Sequence, residues 1–335
     1  MNGDRRRERV LSIVSAVVVT LVSLAALEIV LRIADFRELR ETLSELTLGV
    51  DWDVDLGWAP KPVTEGTITS FRTTHFKHNS LGLRDEEFPT DARPSIVFVG
   101  DSYVWGLDSE ADERFSDLLK KKLPDYKIQA AGVSGYATDQ ELLLLQRIWP
   151  KVKPSVVVLI FCGSNDRQDN IHSRYYFNYY KPYYETQPDG SLALKGQPVP
   201  KSQLIYYRDG WLVHNLWLAR LAVNVYIRLM YPIVTVPDPT EKIVGKMRDY
   251  VEANGAKFMV GLQHHVPDYK EPLIKYLEAN HIPYVNLQGA ERIPESRENI
   301  WGPHWTPKGQ VDVAERIYGM FAANGVVRTN SAQTK

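Results

Sequence analysis

SIVFVGDSYVWGLDSE, residues 95–110, runs from a short apolar stretch straight into Gly-Asp-Ser, and the fold follows from what surrounds it. A continuous apolar run bounded by turn formers reads as a strand buried on both faces. Runs of the same kind recur at YKIQAAGV (126–133), PSVVVLIFCG (154–163), AKFMVGLQ (256–263) and IPYVNLQ (282–288). Helical patterns separate or follow them: ERFSDLLKKKL (113–123), TDQELLLLQRIWPKV (138–152), TEKIVGKMRDYVEANG (240–255), EPLIKYLEAN (271–280) and TPKGQVDVAERIYGMFAANG (306–325). This alternation predicts a three-layer α/β/α sandwich around a mostly parallel five-stranded sheet. It breaks once, at an insert over about 167–238 that holds RYYFNYYKPYYE and a helical stretch near NLWLARLAVNVYIRLM (215–230). That helix reads as an amphipathic cover for the domain rather than a second membrane span.

The N-terminus carries a different signal. Arg5, Arg6, Arg7 and Arg9 precede 18 uncharged residues, Val10 to Leu27, and EIVLRIADF continues the helix. That length suits a membrane span better than a signal h-region, and no small-x-small cleavage site follows, so a retained anchor is expected over a cleaved signal peptide. The basic cluster keeps the N-terminus in the cytoplasm and sends the remainder across. The chain divides accordingly into a basic start (1–9), a transmembrane anchor in the lipid bilayer (10–33), a lead-in (34–94), the sandwich domain (95–325) and a flexible tail (326–335).

Lys and Arg number 40 against 41 Asp and Glu, so no basic footprint points to nucleic acid. The single cysteine, Cys162, excludes an internal disulfide and a thiolate cluster; it reads as a buried strand-end residue.

In an open parallel sheet, ligands bind beyond the carboxyl ends of the strands. Ser102 follows the first strand, Gly135 the second and Asn165 the third, while His304 lies in IWGPHWTPKGQ before the last helix. These types suit acyl transfer. A serine hydroxyl attacks only once a base takes its proton, and histidine titrates nearest neutrality. The oxyanion formed by attack needs donors aimed at it, which the N–H groups of Ser102 and Gly135 and the Asn165 amide can supply. Each residue alone has an ordinary reading: a helix cap, a turn glycine, a loop cap, a structural histidine. Their joint placement is what points to catalysis.

GDSYVWG, the glycine of GVSGY, GSND and HWTPKGQ resemble the four blocks of the SGNH/GDSL hydrolase superfamily, over about 95–325. The lead-in NSLGLRDEEFP and the basic-apolar N-terminus resemble its membrane-anchored bacterial members. The resemblance implies an SGNH/flavodoxin-like sandwich with Ser102 as nucleophile, His304 as general base, and Ser102, Gly135 and Asn165 as oxyanion hole. Gly100, Asp101, Gly163 and Asp166 complete the motifs. It implies no cofactor and no metal, and an acylated carbohydrate or other small ester as substrate. The expected setting is the bacterial inner membrane, single-pass, with the domain periplasmic or extracellular. An esterase acting on O-acyl groups heads the functional readings. An O-acyltransferase with a membrane acyl-donor partner and a non-catalytic binding protein are the alternatives.

Two departures stand out. Ala130-Ala131 occupy the place of a frequent Asn, and Trp301 and Gly302 stand where the family's acid usually precedes the histidine. Glu298, Glu295, Asp312 or a backbone carbonyl are the candidates to orient His304, and spacing does not choose among them. The missing acid and the aromatic insert lean towards transfer. His75 with His78, and His264-His265, lack a carboxylate motif and are not assigned to zinc. The insert's tyrosines either stack on sugar rings or pack the insert onto the domain.

Overall fold

The computed structural model of the chain describes residues 2–40, 49–163, 165–175, 179–263, 267–294 and 304–327. The tail beyond Val327, Glu295, Glu298 and His264-His265 lie outside them.

All five expected strands form one parallel sheet. They are β5 (Ser95–Gly100), β6 (Lys127–Gly132), β7 (Val156–Cys162), β8 (Lys257–Gln263) and β9 (Tyr284–Asn286), in the spatial order β9-β8-β7-β5-β6. Numbered along the chain, this is the 2-1-3-4-5 arrangement, and its switch point falls between β5 and β7. Every residue of β5 and β7 is buried, as expected of central strands covered on both faces. The longer helices are α3 (Phe115–Lys122), α4 (Thr138–Val152), α9 (Thr240–Ala253), α10 (Pro267–Ala279) and α11 (Pro307–Ala323). Under one face, Phe98 meets Phe115 edge-on at 5.0 Å, and Trp305, Ile317 and Phe321 close the core.

The lead-in carries short regular elements. It forms two hairpins, β1 (Val50–Asp53) with β2 (Gly57–Pro60) and β3 (Glu65–Thr69) with β4 (Thr73–Lys77). It is also tied into the sandwich. Trp58 donates to Ser134 O (3.2 Å), Tyr136 returns a bond to Trp58 O, and Gln140 donates to Leu56 O (2.8 Å).

The chain falls into two compact units that cut across the sequence-based division. One holds residues 44–200 and 233–335, so most of the lead-in joins the α/β body. The other holds residues 1–43 and 201–232. In it, α1 (Asn2–Ala34) groups with α6 (Gln203–Asp209), α7 (Trp211–Asn215) and α8 (Trp217–Met230). The insert helix expected to cover the domain therefore belongs with the N-terminal helix instead.

Candidate active site

At the end of β5 the chain turns through Asp101 into a single-turn helix, α2 (Ser102–Trp105). The Asp101 carboxylate caps it by accepting from Tyr103 N–H (2.9 Å). Ser102 is thereby held at the first helical position, at the carboxyl edge of the sheet. Two glycines make room. A Cβ on Gly100 would stand 2.4 Å from Val104 Cγ2, and one on Gly132 would stand 2.2 Å from the Trp105 nitrogen. The Gly-Asp-Ser signature is thus a packing requirement as well as a chemical one.

His304 reaches Ser102 from the other end of the fold. Its Nε2 lies 2.9 Å from Ser102 Oγ, and the imidazole is nearly sealed from solvent. Trp305, Thr306, Pro307 and Gly309 help present it. Trp305 anchors the loop, its ring 4.7 Å from Tyr103 and 5.9 Å from Phe115. Thr306 caps α11 by accepting from Gly309 N–H (3.1 Å), and Pro307 takes the first helical turn, where its missing N–H costs nothing.

The carboxylate that faces His304 Nδ1 is that of Asp108, which sequence reasoning missed. Its Oδ2 lies 3.6 Å from His304 Nδ1, just beyond a resting hydrogen bond, and both side chains are buried. Among the described residues, no polar partner lies within hydrogen-bond distance of that Nδ1. Resting triad contacts of this length commonly tighten when substrate binds. Asp108 is held by the β3–β4 turn: Oδ1 accepts from Phe71 N–H (2.9 Å) and Arg72 N–H (3.0 Å), and Oδ2 from Ser70 Oγ (3.2 Å). Burial alone would raise its pKa. The neighbouring His304 ring, the Arg72 N–H and the histidine's charge outweigh that and hold the carboxyl below its usual range. Of the acids considered from sequence, Asp312 pairs with Arg316 on α11 (2.8 Å).

Arg84, from the NSLGLRDEEF segment, clamps the chain from Trp105 to Ser109, on either side of Asp108. Its guanidinium donates to the carbonyls of Trp105 (3.2 Å), Gly106 (2.6 Å) and Ser109 (2.8 Å) and lies 4.4 Å over the Trp105 ring. Gln310 braces the same stretch, donating to Ser109 Oγ (3.1 Å).

Gly135 sits in the turn after β6 with φ +77°, a left-handed conformation that by itself calls for glycine. Asn165 follows β7; its amide donates to Asp169 (3.2 Å) and hydrogen-bonds the Asp101 carboxyl, which puts it beside the nucleophile turn. Gly163 N–H donates to Gln263 O (2.8 Å), and Asp166 accepts from Cys162 N–H (2.8 Å). Behind the turn lies a buried acidic group of Asp101, Glu141 and Asp166. Burial raises the pKa of each, and pushes those of Glu141 and Asp166 well up with the help of neighbouring charges, Asp101 and Asp139 on Glu141, Glu141 and Asp101 on Asp166. Ligand atoms of Asp101, Cys162 and Asp166 lie within 4.8 Å of one another. Tyr103 N–H, Gln263 and Cys162 N–H already bond these three side chains, so they serve as a hydrogen-bonded brace.

The remaining candidates resolve structurally. His75 pairs with Glu110 (3.1 Å) while His78 is buried against Lys61 O (3.2 Å), so the two do not share a ligand direction. Tyr179, Tyr180 and Tyr184 are buried, Tyr179 against Trp58 at 5.4 Å, which favours packing over sugar stacking.

No family model matches the sequence, and no curated protein matches it. Solved structures do. A lipolytic protein of the G-D-S-L family from Veillonella parvula is 12% identical, with a TM-score of 0.40 over 68% of this chain and 98% of its own. An acetyl xylan esterase is 13% identical, with a TM-score of 0.37 over 67% and 98%. The psychrotrophic esterase EstA of a Pseudoalteromonas species is 13% identical, with a TM-score of 0.35 over 70% and 99%. At such identities and scores the chemistry has to rest on the residues of this chain. The Gly-Asp-Ser turn sits at the switch point of a flavodoxin-like 2-1-3-4-5 parallel sheet.

Proposed function

We propose that this chain is a serine acyl hydrolase that removes ester-linked acyl groups, most simply O-acetyl, from a carbohydrate or other envelope molecule. The observation that carries the reading is the 2.9 Å approach of Ser102 Oγ to His304 Nε2, with Asp108 behind the imidazole. Ser102 Oγ attacks the acyl carbonyl as its proton passes to Nε2. The imidazolium so formed is stabilised by the Asp108 carboxylate, which is already charged and desolvated. The N–H groups of Ser102 and Gly135 and the Asn165 amide receive the oxyanion. The departing alkoxide takes the proton from Nε2, and water, activated by the same nitrogen, then releases the acid and restores Ser102.

The setting is the outer face of a bacterial inner membrane, with α1 as a single-pass anchor and its basic N-terminus inside. Support comes from the length and apolarity of α1 and from the four arginines before it. The carbohydrate preference rests on the outward anchor and the resemblance. Asp108 beside the imidazole weakens one of the two reasons for preferring acyl transfer, which stays the alternative reading.

Release of acetate from acetylated oligosaccharides and of p-nitrophenol from its acetate tests the reading. Turnover by the native chain and none by Ser102→Ala is expected. Equal release by both overturns it.

A further inference from the structure

The last helix of the insert is inside out. Along α8 the buried positions are Arg220, Asn224 and Ile227, a stripe at helical spacing, with Arg220 and Asn224 only 6% and 7% exposed. Arg220 donates to the carbonyls of Leu39 (2.8 Å), Val213 (2.9 Å) and His214 (2.6 Å), and Asn224 to Glu38 O (3.2 Å) and Tyr207 Oη (2.7 Å). The other side presents Leu221, Val225, Leu229 and Met230, with Leu229 76% exposed; α7 just before it leaves Trp211 75% exposed. A surface helix in water turns its apolar stripe inward and its polar one out. Satisfying polar groups within the protein while baring aliphatic ones is the arrangement that lipid selects.

The attachment of α8 to α1 says where that lipid is. No side chain of its own N-cap residue, Leu216, caps α8. The Glu28 carboxylate of α1 does so instead, accepting from Trp217 N–H (3.0 Å) and Leu218 N–H (2.9 Å). Arg32 pairs with Glu28 (2.7 Å) and donates to Asn215 O (2.6 Å). Glu28 is the first residue after the 18 uncharged ones. As a helix these extend about 27 Å, close to the thickness of the hydrocarbon layer. Glu28 therefore marks the membrane boundary, and α8 begins at that level. Its 14 residues are too few to span.

We infer that α7 and α8 form a monotopic element lying in the interface of the bilayer that α1 crosses. Leu221, Val225, Leu229, Met230 and Trp211 meet the acyl-chain boundary, and Arg228 extends to the headgroups. The inference rests on α1 being a membrane span, and the test separates the two.

Nitroxides are attached to Leu221→Cys, Val225→Cys and Leu229→Cys of the full-length chain in phosphatidylcholine/phosphatidylglycerol vesicles. Val17→Cys in mid-α1 and Lys242→Cys on α9 serve as references. At the three α8 positions, relaxation by oxygen over relaxation by a water-soluble nickel chelate is expected several-fold above the Lys242 site, approaching the Val17 site. Nickel access at α8 with Val17 still lipid-exposed overturns the inference and leaves the anchor standing. Exclusion of both agents at α8 overturns it in favour of a protein partner or second copy. Nickel access at Val17 overturns the anchor and the inference with it.

Discussion

Asp108 Oδ2 lies 3.6 Å from Nδ1 of His304 although the two are 196 positions apart, and it is the β3–β4 turn that holds the carboxylate there. Asp108→Asn keeps the shape and removes the charge that steadies the imidazolium. A fall in kcat of up to ~10⁴ is expected, with KM and melting temperature little changed. Steady-state kinetics on p-nitrophenyl acetate beside a thermal melt checks it; unchanged kcat removes Asp108 from the triad.

Arg84 acts on the site only through backbone. Arg84→Ala leaves three carbonyls on either side of Asp108, those of Trp105, Gly106 and Ser109, without their charged donor. A stability loss of about 2–3 kcal/mol is expected from chemical denaturation. Rotating Asp108 away from His304 should also lower kcat more than it changes KM, whereas a purely structural role lowers only the amount of folded protein.

The sheet was legible because central strands buried on both faces are almost wholly apolar. Ser102 and His304 were legible because their motifs sit at strand ends. Asp108 was not. Its function depends on Ser70, Phe71 and Arg72 of a lead-in hairpin folding over it, a contact 36 to 38 residues distant that no local pattern announces. The helix around Arg220 failed for another reason. Periodicity locates a polar and an apolar stripe but does not say which one meets protein, and here the polar stripe does.

Glu141 is buried, and neither carboxylate oxygen has a hydrogen-bond partner among the described residues. Burial, and then the charges of Asp101 and Asp139, raise its pKa well above the ordinary 4.5. A raised carboxyl favours the folded state most below its unfolded pKa, and that contribution is lost as pH rises towards the folded one. Glu141→Gln carries no such proton. The variant should gain melting temperature relative to the native chain as pH climbs above 4.5, and melts across a pH series check this. A constant difference at all pH values contradicts it.

Asn165 is the proposed side-chain donor to the oxyanion. Asn165→Ala should lower kcat by ~10²–10³ with little change in KM, the loss typical of one such donor. A rise in KM at constant kcat would instead make Asn165 a substrate-binding residue.

Covalent capture of the nucleophile tests the account most directly. A fluorophosphonate should add once per folded chain, at the peptide containing Ser102 by mass spectrometry, and not at all to Ser102→Ala. A folded native chain that stays unlabelled, or labels at another residue, contradicts the claim that the hydroxyl at position 102 is activated by the imidazole at 304.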